Sequence, residues 1–435
     1  MSDDLSGTTA SEGARTLAGT TDGPADLGRI HLCADLPPIS GRTRVELEDF
    51  LVDERPLYPP SGAGEHLFLR VEKRGIPTHE LQRRLAAALG CSAKEIGAAG
   101  LKDARAVTRQ WLSVPARGEA GLDHLEDPAI TVLERSRHET KLGKGHLAAN
   151  HFRIRIRDCA EGDLARAGAI LDRLLERGVP NAFGLQRFGK RRNSHRLGHA
   201  LILGDRERFL AELLGHADGD GRFARAAEAF RAGELEVARK TWPKSCVPER
   251  AALRSLIDHP ADRDRAVRAI PKKFRLLYAS ALQSLVFNRY ATARLAIPEL
   301  VLPGEVLTFT ARGASFVVED AAREADRCRA GELVPSGPMV GRKLLRPAAG
   351  SRPRELEDAA LAQSELTLEA VAGHSLRVAS RRRALWTPLA DVELAEELEP
   401  RADEPPGRHL RIAFTLPRGA YATGVLEELL RRAVD

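Results

Sequence analysis

Hydrophobic positions along the chain recur with two periods, and the period changes where turn residues cluster. In His66–Lys73, Leu67, Leu69 and Val71 alternate with His66, Phe68, Arg70 and Glu72, which predicts a strand. Val45–Glu54 and Thr108–Val114 also read as strands, and Gly62, Ala63 and Gly64 make the turn between the first two. Phe152-Arg-Ile-Arg-Ile-Arg157 alternates strictly, so Phe152, Ile154 and Ile156 face a core while Arg153, Arg155 and Arg157 face outward. Such an outward arginine row is usually a solvated face; it can also meet phosphate. Leu410, Ile412, Phe414 and Leu416 repeat the alternation near the end of the chain.

Helical patterning fills the intervals. Thr78 is placed to cap a helix with Leu81, Leu85 and Leu89 on one face, closed by Gly90. Ser92-Ala-Lys-Glu95 is a capping box opening a short helix that runs into the small-residue stretch Ala98–Asp103. Asp163 caps a helix with Leu164, Ala167, Leu171, Leu174 and Leu175 inward, ended by Gly178 and Pro180. Residues 205–265, rich in Ala, Arg and Glu, and Leu276–Arg294 read as helical. Residues 300–320 return to strands, Gly337–Lys343 reads as a loop, and 355–370 as helix. Pro417-Arg-Gly419 turns the last strand into a final helix carrying Val425, Leu426, Leu429 and Leu430. Strands mostly separated by helices predict an α/β or α+β fold, and no internal repeat has a fixed period.

Composition bounds this picture. The 435 residues suggest two or three domains at about 150 residues each. Five widely spaced cysteines, an odd number, argue against a disulfide framework and for a reducing cytoplasm. There is no secretory signal pattern and no run of about 18 apolar residues, so no membrane association is expected. Residues 1–27 carry a net −4 and read as a disordered acidic tail, so the formal +6 of the chain masks a body of +10. Of the basic residues, 56 are arginine and 11 lysine, and arginine is the better bidentate phosphate ligand.

Several kinds of site are excluded. No phosphate-binding or dinucleotide glycine motif, nucleophile elbow or C-x-x-C pair occurs. His195 and His199 have a helical i,i+4 spacing, but the surrounding Arg187, Lys190, Arg191, Arg192 and Arg196 would repel a cation, so no metal is expected. That same acid-free stretch, Asn181–Gly204, interleaves five cations with Phe183 and Phe188. Cations hold phosphates and ring faces stack bases, so it suits nucleic acid. A basic surface loop over two core phenylalanines reads equally well. The second signal is Gly100-Leu-Lys-Asp103: a reactive acid in a tight loop beside Lys102, or, more simply, a helix N-cap.

Six segments in order carry a resemblance. They are Glu48–Glu54 (EDFLVDE), Gly100–Trp111 (GLKDARAVTRQW), Lys141–Phe152 (KLGKGHLAANHF), Asn181–Gly189 (NAFGLQRFG), Leu282–Asn288 (LQSLVFN) and Leu416–Thr423 (LPRGAYAT). Together they resemble the TruD family of tRNA pseudouridine synthases, over about residues 29–435. The resemblance implies a circularly permuted pseudouridine synthase core over 29–204 and 385–435, a mixed or antiparallel sheet flanked by helices. An inserted α/β domain would span 205–384, and residues 1–28 would form the tail. It implies isomerisation of the uridine at tRNA position 13 without cofactor or metal. It makes Asp103 the catalytic nucleophile, which reverses the cap reading, and makes Phe50, Asn181, Phe183 and Tyr421 pocket residues. Lys102, Arg44, Gln186 and Arg187 are further substrate-binding candidates, and Lys190, Arg191, Arg192 and Arg196 are candidate RNA contacts. Arg44 stands where the family carries Lys, Ala182 where it usually has Tyr, and Glu427 where Arg is common. Two other readings remain: an RNA-binding protein without chemistry, and an enzyme on a small glycosidic substrate, which would need no phosphate-binding field.

Overall fold

A computed structural model describes residues 31–216, 221–399 and 407–432; the acidic tail expected over 1–28 lies outside these residues. In chain order, the first part holds β1 (Phe50–Pro56), β2 (His66–Arg74), α1 (Thr78–Ala88), β3 (Gly97–Ala98), β4 (Val107–Pro115), β5 (Ile130–His138), β6 (Leu147–Ile156), α2 (Asp163–Arg177) and β7 (Val179–Pro180). The middle is helical at first: α3 (Ser194–Leu203), α4 (Arg206–Leu214), α5 (Arg222–Arg231), α6 (Leu235–Thr241), α7 (Val247–Asp258), α8 (Arg263–Ala269) and α9 (Lys272–Leu295). It continues with β8 (Val306–Phe309), β9 (Ser315–Val317), α10 (Ala321–Arg329), β10 (Leu333–Met339), α11 (Arg352–Gln363), α12 (Leu368–Gly373) and β11 (Arg381–Ala384). The chain closes with β12 (Trp386–Thr387), β13 (Ala390–Glu399), β14 (Gly407–Pro417) and α13 (Ala422–Leu430).

Strands from both ends of the chain build one eight-stranded sheet, in the order β13-β14-β6-β1-β4-β2-β5, with β3 on β4. Only β1 and β4 run parallel among its pairs; the rest are antiparallel. β14 lies beside β6 because both alternate in phase: Ile412 faces Ile154 and Phe414 faces Phe152, so their apolar sides meet on one face. The mixed sheet with flanking helices is the expected fold class. A four-stranded sheet, β11-β10-β8-β9, belongs to the middle of the chain.

One face of the large sheet carries two apolar cores. Phe50, Val52, Ile154, Ile412 and Phe414 pack with Leu171 of α2 and Val425 and Leu429 of α13. Leu67, Leu69, Val71, Leu112 and Val114 pack with Leu81 and Leu85 of α1. The register that pairs Val52 with Thr108 and Lys73 with Thr108 puts polar residues between them. Glu54, Lys73, Thr108 and Gln110 are each no more than 3% exposed there. This polar seam sits on the covered face, and the loop from β3 to β4 runs to it.

Several expectations shift in detail. The first strand begins at Phe50, because Leu47–Asp49 forms a 3-10 turn. α1 begins at Thr78 with Pro77 before it, so the Thr78 hydroxyl is free for other partners. Gly162 precedes α2, while the buried Asp163 carboxylate accepts from the Ser40 and Ala160 N–H groups. Leu164 and Leu175 are exposed, and Ile170 lies inward instead. The loop expected over Gly337–Lys343 begins as the end of β10, which is buried along its length. A Cβ on Gly337 would come within 2.9 Å of Phe287 and Tyr290, so glycine is what lets this strand lie against α9. Gly198 of α3 similarly admits the Tyr278 carbonyl of α9, 2.2 Å from where a Cβ would stand. α3 therefore shares its core with the middle helices.

Candidate active site

Asp103 is not a helix cap. The chain passes from Asp103 through a bend straight into β4. Neighbours fix the loop by its backbone. The Lys102 N–H donates to Thr78 Oγ1 at 2.9 Å, which is where the hydroxyl freed from capping goes. Gly145 N–H donates to the Ala99 carbonyl at 2.7 Å. The fully buried Lys73 donates through Nζ to the Asp103 carbonyl at 2.6 Å and to the Ile76 carbonyl at 2.7 Å. Burial pulls the Lys73 amine down to about 8; the Asp103 charge opposes that and Lys102 adds to it.

The Asp103 side chain itself stays open, 58% exposed, with Arg44 Nη2 at 3.1 Å from Oδ2. The Arg44 guanidinium lies over the Phe50 ring, 4.2 Å from its centroid. Phe50 is 1% exposed and meets Phe152 edge-on at 6.1 Å, so its face is covered by Arg44 and it reaches the site through that arginine. Lys102 turns away from the carboxylate. Its ammonium lies 2.6 Å from Glu54 Oε2 and 2.6 Å from Asn150 Oδ1, inside the polar seam.

A second group gathers where the middle of the chain rejoins the sheet. β12 pairs with β7, and the Asn181 N–H donates to the Leu385 carbonyl at 2.8 Å. Asn181 Nδ2 donates to the Ala384 carbonyl at 2.9 Å, and its Oδ1 accepts from Arg383 at 2.5 Å. Phe183 is held by Asn288 of α9, whose side-chain amide bonds both its N–H (2.8 Å) and its carbonyl (2.9 Å). Its ring meets Phe287 edge-on at 5.6 Å and lies under Arg383 (4.1 Å) and Arg187 (5.3 Å). Arg187 donates to the Ser280 and Ser284 hydroxyls of α9. Tyr421, just before α13, is 72% exposed and in electrostatic reach of both guanidinium groups.

The two groups are tied together through the sheet. Leu416 of β14 pairs with Asn150, which holds Lys102. The Pro417–Gly419 turn follows, and Arg418 donates to the Gly145 carbonyl at 3.2 Å, beside the loop of Asp103. Tyr421 comes directly after that turn.

The remaining candidates are spread out. Gln186, Lys190 and Arg192 are exposed, and Arg196 is half-buried on α3. Arg191 turns inward: it donates to the Leu213 and His216 carbonyls and pairs with Glu249 at 2.6 Å. His195 and His199 are buried on α3, against Phe188 and the Glu365 carbonyl. Among the described residues no group of three His, Cys, Asp or Glu is arranged to hold a metal. Most of the outward arginine row of β6 is neutralised, Arg155 by Glu397 and Arg157 by Asp49. A cavity of about 330 Å³ opens by Asp53, Arg55, Arg70 and His151, but Arg70 pairs with Asp53 and Arg55 with Asp391.

Sequence reasoning missed Lys73, Glu54 and Arg383. For the first two a signal was present. Lys73 continues the series Leu67, Leu69, Val71, and Glu54 the series Phe50, Val52, so each is a charge in phase with a core face. Arg383 lay in a run of three arginines with no pattern to single it out.

The site thus combines an open carboxylate in the loop before β4 with a separate group, Phe183 under Arg383 and Arg187, where the middle of the chain rejoins the sheet. The family model described as tRNA pseudouridine synthase D (TruD) matches residues 26–429. The chain is 41% identical over 409 residues to the tRNA pseudouridine synthase D of Geobacter metallireducens, covering 92% of this chain and 97% of that one. It is likewise 41% identical over 406 residues to the protein of that name from Geobacter sulfurreducens, with the same coverage. The crystal structure of a putative tRNA pseudouridine synthase D from Methanosarcina mazei superposes with a TM-score of 0.83 at 24% identity, over 94% of this chain and 98% of that chain, and so shares its fold. The chain belongs to the TruD family of tRNA pseudouridine synthases.

Proposed function

We propose that this protein isomerises a uridine of tRNA, the one at position 13, to pseudouridine, with Asp103 as the nucleophile. The observation that carries the reading is the contrast at Asp103: a backbone anchored from three sides and a carboxylate left open, oriented by Arg44 alone among the described residues. A group positioned in this way can attack the substrate without first reorganising.

The reaction breaks the C1′–N1 bond, turns the uracil and joins C1′ to C5. The C5 proton leaves and N1 gains one, so the change is a net isomerisation and consumes no redox partner. The base must leave the RNA stack to reach Asp103. Phe183 and the exposed Tyr421 supply ring faces to receive it, and the Asn181 amide, held in place by Arg383, supplies polar contacts. Lys190, Arg192 and Arg196 extend a basic surface for the tRNA body. The five free cysteines fit a cytoplasmic enzyme.

Asp103→Asn keeps the size of the side chain and removes its nucleophilicity. We expect it to abolish pseudouridine, read by carbodiimide probing of tRNA, while leaving tRNA affinity within about threefold of the wild type. Pseudouridine formed at the wild-type rate would overturn the role of Asp103. Mapping pseudouridines in a strain lacking the protein tests the position: loss at a site other than 13 would overturn it.

A further inference from the structure

Arg381, Arg382 and Arg383 lie on β11, and a strand sends alternate side chains to opposite faces. The consequences differ sharply. Arg382 points into the middle of the chain and pairs with the fully buried Glu357 at 2.6 Å, which also holds Arg346. Arg383 points the other way, onto the Phe183 ring, and its hydrogen bonds go to the Asn181 carbonyl and Oδ1. Arg187 reaches the same ring from the segment before α3, and its bonds go to two serine hydroxyls. Neither has a carboxylate partner among the described residues, and neither has Arg381. Arg191, from the same basic segment as Arg187, does have one in Glu249.

Like charges without counter-charge leave a trace. Burial first, and then Arg381, lower the Arg383 guanidinium to about 10 and depress Arg187 as well. Holding such a group together costs the free protein energy that an anion would return. Planar guanidinium forks match the two free oxygens of a phosphodiester. Their position beside Phe183 and Tyr421 sets that anion next to the base pocket.

We propose that Arg383, with Arg187 and Arg381, forms a phosphodiester-binding site that grips the RNA backbone adjoining the flipped uridine, so that the strand closing the middle of the chain supplies an anchor for the substrate. This rests on tRNA being the substrate.

The test is tRNA binding by filter retention across a salt series, with wild type, Arg381→Gln, Arg383→Lys and Arg383→Gln. Arg381 is exposed, so its variant folds. We expect Arg381→Gln and Arg383→Gln each to weaken binding roughly tenfold and to lower the slope of log K against log salt by about 0.7–0.9, one phosphate contact. Arg383→Lys keeps the charge and loses the fork, so it should weaken binding while retaining the slope. A tRNA with one neutral methylphosphonate beside the target uridine should cost the wild type about the same affinity and cost Arg383→Gln little more. Unchanged slopes in the two Gln variants, or full additivity of the methylphosphonate with Arg383→Gln, would overturn the site. Wild type that forms no pseudouridine in tRNA would instead overturn the functional reading beneath it.

Discussion

Lys73 shows what a single buried charge does here. Its ammonium is enclosed, yet it bonds the backbone carbonyl of Asp103 at 2.6 Å. Its folded value of about 8 lies below the ordinary 10.5, so the folded state releases the proton first as pH rises. Between those values the unfolded chain holds one more proton than the folded one, and stability gains about 1.4 kcal/mol per pH unit from this group. Below pH 8 both states hold the proton and the full cost of burying the charge is present. Comparing wild type with Lys73→Met by denaturant unfolding from pH 8 to 10.5 should therefore show the wild type gaining on the order of 3 kcal/mol relative to the variant. Parallel pH profiles would mean that the buried amine is not what titrates. Arg44 acts differently: at 3.1 Å from an open carboxylate it orients rather than shields.

At the scale of elements, α9 is the frame of the Phe183 segment. Its residues Ser284, Phe287 and Asn288 each meet the 183–187 segment, by the Arg187 bond, the ring contact and the two-point clamp on Phe183. The LQSLVFN segment is therefore a support and not itself a site of chemistry; its Gln283 likewise bonds the Val340 and Ala379 carbonyls. Asn288→Ala leaves the Phe183 N–H and carbonyl unpaired in a half-buried place, at a cost of about 1–3 kcal/mol. We expect a lower melting temperature and a raised KM for tRNA, with kcat less affected, because the pocket wall loosens while Asp103 keeps its own anchors. A variant with wild-type melting and KM would show that the clamp carries no weight. The two cores of the sheet, one under α1 and one under α2 and α13, leave the polar seam between them, and the Asp103 loop runs to that seam.

For the whole molecule, charge is divided. Residues 1–27 carry −4 against +10 for the rest, so their charge opposes the positive field of the rest of the chain. Deleting those residues should tighten tRNA binding several-fold at low salt, and the difference should fade near 1 M salt, where the screening length is about 3 Å. A difference that persists at high salt would point to contacts other than charge. The body's own arginines are less free than their number suggests. Arg155, Arg157, Arg191 and Arg382 all have carboxylate partners, while Arg187 and Arg383 face the pocket without one among the described residues.

Local patterns determined much of this from sequence. Period-2 and period-3.6 alternation marked most of the strands and helices of the sheet-bearing part, since each depends only on neighbours a few residues away. The six motifs, with Asp103 among them, carried the family. What the tertiary structure decided were contacts across long separations, such as Arg44 to Asp103, 59 residues apart, and Asn181 to Arg383, 202 apart. These depend on sheet register and on where the middle of the chain rejoins the sheet, which no local period encodes. The same reason explains why Arg191 turns inward to Glu249 while Arg383 lies over Phe183: composition makes the two arginines equal, and only the packed chain supplies one with an acid and leaves the other without one among the described residues.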